Sequence, residues 1–122
     1  MKAARQLLAD AKALEAAGVI GITLEAVPAP LAAIITQEVA VPIIGIGAGP
    51  DCDGQVLVIH DMLGLFEKFT PKFVKQYCHL ALDIKQGVQS YLQELQEGIF
   101  PAEEHSFSAK EDFSDLLMPE KK

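Results

Sequence analysis

The sequence predicts an α/β protein in which parallel strands alternate with helices. Residues 19–24 and 42–46 are short apolar runs without polar alternation, which is typical of strands buried on both faces of a parallel sheet. Helical patterns lie before and between these runs, as in units with right-handed crossovers. Half of the 122 residues are hydrophobic and 22% are charged. That composition supports one small domain and excludes an intrinsically disordered chain.

The first four elements follow from spacing and from residues that start or stop helices. Residues 3–17 are expected to form a helix, because apolar side chains recur at helical spacing and Gly18 is placed to cap its end. The first strand, residues 19–24, comes next. A second helix is expected over residues 30–39, since it begins with a proline suited to a first turn. Residues 42–46 form the second predicted strand.

The second half is expected to contain a third strand and a long C-terminal helix. The strand is predicted over residues 56–60, followed by a helical turn or loop over 61–65. A threonine–proline pair starts a helix over residues 71–97. Gly87 interrupts this helix at a cost of about 1 kcal/mol, and Gly98 ends it. Its expected buried face comprises Phe73, Tyr77, Ala81, Ile84, Val88, Tyr91 or Leu92, and Leu95.

Three strands are few for a parallel sheet, which needs both faces and both edges covered. The elements therefore predict part of something larger, either half of a barrel or one partner in an assembly.

Charge and cysteine usage exclude several classes of protein. Ten basic and seventeen acidic residues give a net charge of −7, and the only concentrated basic run is at 121–122, so nucleic-acid binding is disfavoured. No apolar run is long enough to cross a bilayer, and the N-terminus lacks signal-peptide features. A cytoplasmic location is the default expectation. Cys52 and Cys78 fit neither a redox pair nor a zinc site, and are expected to be reduced thiols.

Glu25 is the first candidate catalytic residue. It directly follows an apolar strand, at the end where α/β proteins bind substrates. A carboxylate at that position can be partly desolvated, which raises its pKa toward a range useful for a general base. The alternative is a solvated glutamate in a strand–helix loop.

The loop after the second strand contains two patterns that suggest ligands. Gly45, Gly47 and Gly49 follow a strand, but Pro50 stands where the dinucleotide-binding motif needs glycine. These glycines are better interpreted as allowing close approach of a ligand or a neighbouring loop. The acidic pair at 51 and 53 could bind Mg²⁺, although such loops are more often solvated turns.

The three histidines show no metal-ligand spacing. His60, followed by Asp61, could be an oriented imidazole, but a hydrogen-bonded core histidine is the favoured interpretation. His79 is expected in the middle of a helix. His105 has no nucleophile-elbow serine to complete a catalytic triad.

Several strings in the chain match one family in the same order. They are LEAVP at 24–28, PIIGIGAG at 42–49, DGQVLVIHD at 53–61, PKF at 71–73 and EHSF at 104–107. Residues 3–107 therefore closely resemble the C-terminal half of the ketopantoate hydroxymethyltransferases.

The resemblance implies the C-terminal half of a (β/α)8 TIM barrel over residues 1–107. Residues 108–122 carry no motif of the family, and their polar, acidic composition predicts a flexible tail. It also implies hydroxymethyl transfer from 5,10-methylenetetrahydrofolate to 3-methyl-2-oxobutanoate in pantothenate biosynthesis, within a homo-oligomer. Glu25 matches the family's proton acceptor. The family's Mg²⁺ ligands and its substrate-holding serine and lysine belong to the N-terminal half, so these are expected outside this chain.

Two hypotheses for function follow. In the first, the chain is half of the enzyme and works only with the N-terminal half, because the base alone lacks the electrostatic stabilisation of the enolate. In the second, it is a catalytically inert half-barrel that self-associates to cover its sheet. An unrelated α/β binding module is a third, weaker alternative, since it requires the motif matches to be chance.

Overall fold

The structure of the chain is a computed structural model that describes residues 1–116. Its residues group into two compact units, the first over Met1–Ala81 and the second starting at Leu82. The sequence-based division into a half-barrel over 1–107 and a tail over 108–122 stays a prediction. Residues 117–122 of that expected tail lie outside the described part.

The described elements confirm an α/β fold with three parallel strands alternating with helices. The strands form an open sheet in the order β1-β2-β3, and every pairing is parallel. In chain order the elements are α1 (Lys2–Ala16), β1 (Ile22–Glu25), α2 (Ala29–Glu38), β2 (Ile43–Ile46), β3 (Gly54–Gln55), α3 (Ile59–Met62) and α4 (Leu80–Glu97). Short 3-10 turns follow at Glu103–His105 and Ser114–Leu116.

The core of the first unit lies between one face of the sheet and the helices α1 and α2. Ile22 pairs with Ile43 and Leu24 with Gly45, which puts these positions on one face. The buried cluster that they join comprises Ala11, Ile22, Leu24, Ala32, Ile35, Val39, Ile43 and Ala48. Burial of these side chains holds the helices on the sheet.

The opposite face of β1 is exposed, which corrects the prediction of a strand buried on both faces. Ile22 and Leu24 are buried, whereas Thr23 and Glu25 are exposed. Alternation with a period of two is the pattern of a strand covered on one side only. Half of the unalternated apolar run that suggested double burial lies before the strand, where Ile20 is 96% exposed.

The predicted third strand is also wrong in its position. β3 covers only Gly54 and Gln55, and its last bond to β2 runs from the Val56 amide to the Gly45 carbonyl at 3.0 Å. β2 ends at Ile46, and the following Gly47 turns the chain with φ +64. The apolar run at 56–60 therefore has no strand to pair with, and it leads into α3.

The long C-terminal helix begins nine residues later than the predicted Pro71, at Leu80. Pro71 starts only a turn, in which the Val74 amide donates a hydrogen bond to the Pro71 carbonyl at 3.0 Å. The amides of Tyr77 and Leu80 then donate to carbonyls at 62 and 63, at 2.8 and 3.0 Å. These tertiary bonds replace the bonds that a continuous helix needs. Of the predicted buried face, only Ala81 is buried.

Candidate functional site at the strand carboxyl ends

The loops that follow β1 and β2 line one groove of about 1020 Å³ in the first unit. Residues 26–29 contribute from the first loop, and Gly47, Gly49 and Pro50 from the second. The groove also includes Gln55 of β3 and the pair Lys72 and Phe73. Ligands of open parallel sheets bind beyond the carboxyl ends of the strands, so this groove is the candidate site.

Glu25 directly precedes the residues of the first loop that line this groove, but it is not itself among the lining residues. It is the last residue of β1, pairs in register with Ile46, and lies on the sheet face turned away from the helices. Its side chain is exposed, so the residues described do not provide the partial desolvation expected for a base. The neighbouring Ala26 lines the groove itself.

Ala26 turns the chain sharply from β1 toward α2. It has φ +54, the only positive value recorded for a non-glycine residue among residues 1–116. This conformation costs about 1–2 kcal/mol for an alanine, and the amide is held by the Ile46 carbonyl at 2.9 Å. Strained backbone of this kind concentrates at functional sites. No pattern in the sequence indicated it.

The glycines of the second loop permit close packing, as the sequence predicted. Gly47 has φ +64, and a Cβ placed there would lie 2.7 Å from the ring of Phe73. Gly49 has φ +82 and a Cβ there would collide with Ala29. The loop leads to β3 rather than to a helix, so the dinucleotide-binding geometry is absent from this part of the structure.

Of the acidic pair at 51 and 53, Asp53 has a structural role. Asp53 Oδ2 accepts a hydrogen bond from the Ile43 amide at 2.8 Å, which satisfies the first backbone donor of β2. Asp51 is exposed. Within residues 1–116 no three His, Cys, Asp or Glu side chains are grouped so that they could hold a metal ion. The Mg²⁺ implied by the resemblance therefore has no fitting ligand set in the described chain.

The histidines lie outside the groove. His60 is exposed in α3, so its interpretation as a core histidine is wrong. His79 lies just before α4 rather than in the middle of a helix. In the second unit, His105 Nδ1 accepts from the Ala102 amide at 3.2 Å, and its ring packs 5.0 Å from that of Phe100. This histidine stabilises a turn.

Neither cysteine forms a disulfide, as expected. No helix within residues 1–116 combines the length and apolar character that crossing a bilayer requires.

A parallel α/β layer with a groove beyond the carboxyl ends of its strands is the arrangement in which α/β proteins bind ligands. Residues 1–103 match the family model described as ketopantoate hydroxymethyltransferase. The chain belongs to this family.

Individual relatives carry the name 3-methyl-2-oxobutanoate hydroxymethyltransferase. One from Desulfotalea psychrophila is 60% identical over 117 residues, which is 96% of this chain and 42% of the relative. One from Geotalea daltonii is 60% identical over 105 residues, which is 86% of this chain and 39% of the relative. The chain thus spans about two fifths of the length of these curated relatives.

Proposed function

We propose that this chain supplies the proton acceptor, Glu25, and one wall of the substrate site of a 3-methyl-2-oxobutanoate hydroxymethyltransferase. The reaction transfers a hydroxymethyl group from 5,10-methylenetetrahydrofolate to 3-methyl-2-oxobutanoate and yields 2-dehydropantoate, in pantothenate biosynthesis. The observation that carries the proposal is the position of Glu25. It stands at the carboxyl end of β1, on the face opposite the helices and one residue from the groove.

The chemistry assigned to Glu25 is removal of the proton on the carbon beside the keto group. The carboxylate takes the proton, the C–H electron pair forms a carbon–carbon double bond, and the negative charge moves to the keto oxygen. The enolate carbon then forms a bond to the one-carbon unit of the folate, and the two carbon–nitrogen bonds of that unit break. Water supplies the hydroxyl oxygen, and the proton held by Glu25 and one proton of that water go to the two folate nitrogens, which releases tetrahydrofolate. A positioned general base contributes roughly 10²–10⁴-fold to such a step. Ala26 holds the base in place by fixing the turn that follows it.

The described residues provide no ligand set for a metal ion that would stabilise the enolate charge. Their carboxylates, imidazoles and thiols form no group that could hold Mg²⁺, so no step here is assigned to the metal. The proposal places its ligands, and the elements that cover the exposed face of β1, in a complementing N-terminal half or in other copies of a homo-oligomer. Covering that face would also remove Glu25 from water. The expected location remains the cytoplasm.

The inert half-barrel is the second candidate. The exposed face of β1 and the exposed apolar side chains of α4, including Ile84, Val88 and Leu95, favour self-association. In this hypothesis the chain removes no proton from the keto acid under any condition.

Deuterium exchange distinguishes the two candidates. The chain is incubated with 3-methyl-2-oxobutanoate and Mg²⁺ in D₂O, alone and with the N-terminal part of the Desulfotalea psychrophila relative, and loss of the methine proton is followed by NMR. We expect exchange that is abolished in Glu25→Gln and retained in Glu38→Gln. Glu38 is the matched control, because it is a glutamate at the end of α2 that pairs with Lys12.

Exchange that persists in Glu25→Gln would overturn the assignment of the base. Absence of exchange in both preparations would favour the inert half-barrel, and light scattering would then be expected to show self-association.

A further inference from the structure

One side-chain hydrogen bond joins two residues that line the groove. Gln55, the last residue of β3, donates from Nε2 to the Gly49 carbonyl at 2.9 Å. Gly49 belongs to the loop that follows β2, and both residues line the groove. The hydrogen bond therefore ties this loop to the sheet, and the proposed role of Glu25 does not yet account for it.

The backbone of β2 leaves room for this side chain to reach the loop. Gly45 pairs in register with Gln55. A Cβ on Gly45 would lie 2.8 Å from Cys52 Sγ and 3.4 Å from Gln55 Nε2. Glycine at position 45 thus allows both side chains to lie against β2, and the Gln55 carboxamide can extend along it to Gly49.

The other contacts of the loop are apolar. Gly47 packs against the ring of Phe73, and Gly49 packs against Ala29 at the start of α2. Packing of this kind limits how close two groups can come, whereas a hydrogen bond also fixes their direction. The bond from Gln55 therefore adds a directional constraint to a loop that is otherwise held by apolar contacts.

This loop is connected to the candidate base. It starts directly after Ile46, whose carbonyl accepts from the Ala26 amide at 2.9 Å. Ala26 has φ +54 and directly follows Glu25. Strained backbone of this kind persists only where the surrounding structure holds it. A shift of the loop is therefore passed toward Glu25 through Ile46 and one backbone hydrogen bond.

We propose that Gln55 is a positioning residue that fixes the loop after β2 and thereby the direction of Glu25. The inference rests on the proposed function for the role of Glu25 as the base. A base transfers a proton efficiently only when the reacting atoms lie within about 3–3.5 Å, so small displacements carry large losses of rate. Loss of the N–H donor at position 55 is expected to slow proton removal while the chain still folds.

Three variants separate the hydrogen bond from the shape of the side chain. Gln55→Glu keeps the shape but has an ionised carboxylate without a donor, Gln55→Met has no donor, and Gln55→Lys has one. They are compared in the deuterium-exchange assay with the N-terminal part of the relative added, over a range of 3-methyl-2-oxobutanoate concentrations.

The maximal exchange rate is expected to follow the presence of a donor. Gln55→Lys should stay within about twofold of the unmodified chain, and Gln55→Met should be about three- to tenfold slower, the range that one neutral hydrogen bond supplies. Gln55→Glu should be slowest, because its carboxylate faces the Gly49 carbonyl oxygen. The keto-acid concentration at half-maximal rate should not change, because the base and not the binding of the keto acid is displaced.

The control and a second measurement test the connection directly. Gln93→Glu is the matched control, because Gln93 donates to Glu97 at 2.8 Å within α4 and is not among the residues that line the groove. It should leave exchange unchanged. In amide NMR spectra of the full chain alone, the signals of Gly49 and Ala26 should shift in Gln55→Met and not in Gln93→Glu.

The inference is overturned if Gln55→Glu exchanges as fast as the unmodified chain, if the rates follow shape so that Gln55→Lys is slowest, or if the Ala26 amide signal does not shift in Gln55→Met. Its failure is distinguishable from failure of the proposed function. Exchange that persists in Glu25→Gln removes the assigned base. Equal rates in all position-55 variants, with exchange still abolished in Glu25→Gln, leave the base in place and remove only the role of Gln55. Absence of exchange in every preparation overturns both.

Discussion

Replacement of Gly47 by alanine is expected to destabilise the first unit by about 2–4 kcal/mol. Gly47 has φ +64, a left-handed conformation that costs an alanine roughly 1–2 kcal/mol. The new Cβ would lie 2.7 Å from two ring atoms of Phe73, and overpacking of this kind adds roughly 1–3 kcal/mol. Because Phe73 is 38% exposed, its ring can shift, and we expect the lower part of the combined range.

Urea unfolding followed by circular dichroism measures this change. Gly18→Ala is the control for backbone strain alone, since Gly18 has φ +86 and open space at its Cβ. Gly87 lies within α4 and has open space at the position of a Cβ. Gly87→Ala is therefore expected to stabilise α4 by about 1 kcal/mol, because alanine has the higher helix propensity. In a Phe73→Ala background, Gly47→Ala should cost no more than Gly18→Ala. The steric argument is refuted if Gly47→Ala and Gly18→Ala are equally destabilising in the presence of the Phe73 ring.

Two further predictions concern polar contacts of the first unit. Asp53→Ala removes the acceptor for the amide of the fully buried Ile43, and it should lower the free energy of unfolding by roughly 1–3 kcal/mol. Asp53→Asn is the control, because it keeps an acceptor oxygen. Equal losses of stability in the two variants would contradict the hydrogen-bond explanation. The hydrogen bond and charge of Lys12 lower the pKa of Glu38 from its ordinary value of 4.5. The Lys12–Glu38 contact therefore stabilises the folded state fully above pH 4.5, and this stabilisation is lost as the pH falls through the lowered pKa of the folded state. Lys12→Met should therefore reduce the decrease of the urea midpoint at acid pH, whereas Lys2→Met should leave it unchanged. The same decrease at acid pH in Lys12→Met as in the unmodified chain would refute the linkage.

Local signals predicted α1, α2 and β2 in the first half of the chain well. α1 ends beside Gly18, which has φ +86, and α2 begins with a proline in its first turn. The apolar run at 42–46 contains β2. These features depend on backbone preferences of single residues and on apolar spacing, both of which are readable without knowledge of distant contacts.

The second half was predicted poorly because distant contacts decide it. The apolar, β-branched run at 56–60 is a good strand sequence, but β2 ends before it can pair. Pro71 is a good helix start, yet the amides of Tyr77 and Leu80 bond to the chain after α3. Strand and helix propensities are weak compared with such tertiary hydrogen bonds.

For the candidate site too, local features were predictable from the sequence and features that depend on distant contacts were not. The position of Glu25 at a strand end, and the need for glycine at 47 and 49, were evident from the residues themselves. The sequence contains no pattern that predicts Lys72 and Phe73 in the same groove, because that requires the segment after α3 to fold back over the Gly47 loop. Nor could it show that Ala26 takes the strained turn beside the candidate base.

The sequence by itself thus determined the α/β order, the ends of α1 and α2 and the carboxylate at the end of β1, because each depends on neighbours within a few residues. Only the tertiary structure decided where β3 stops, where α4 begins and which side chains surround the groove. These depend on which backbone groups find partners from distant parts of the chain, and buried amides and carbonyls must find them.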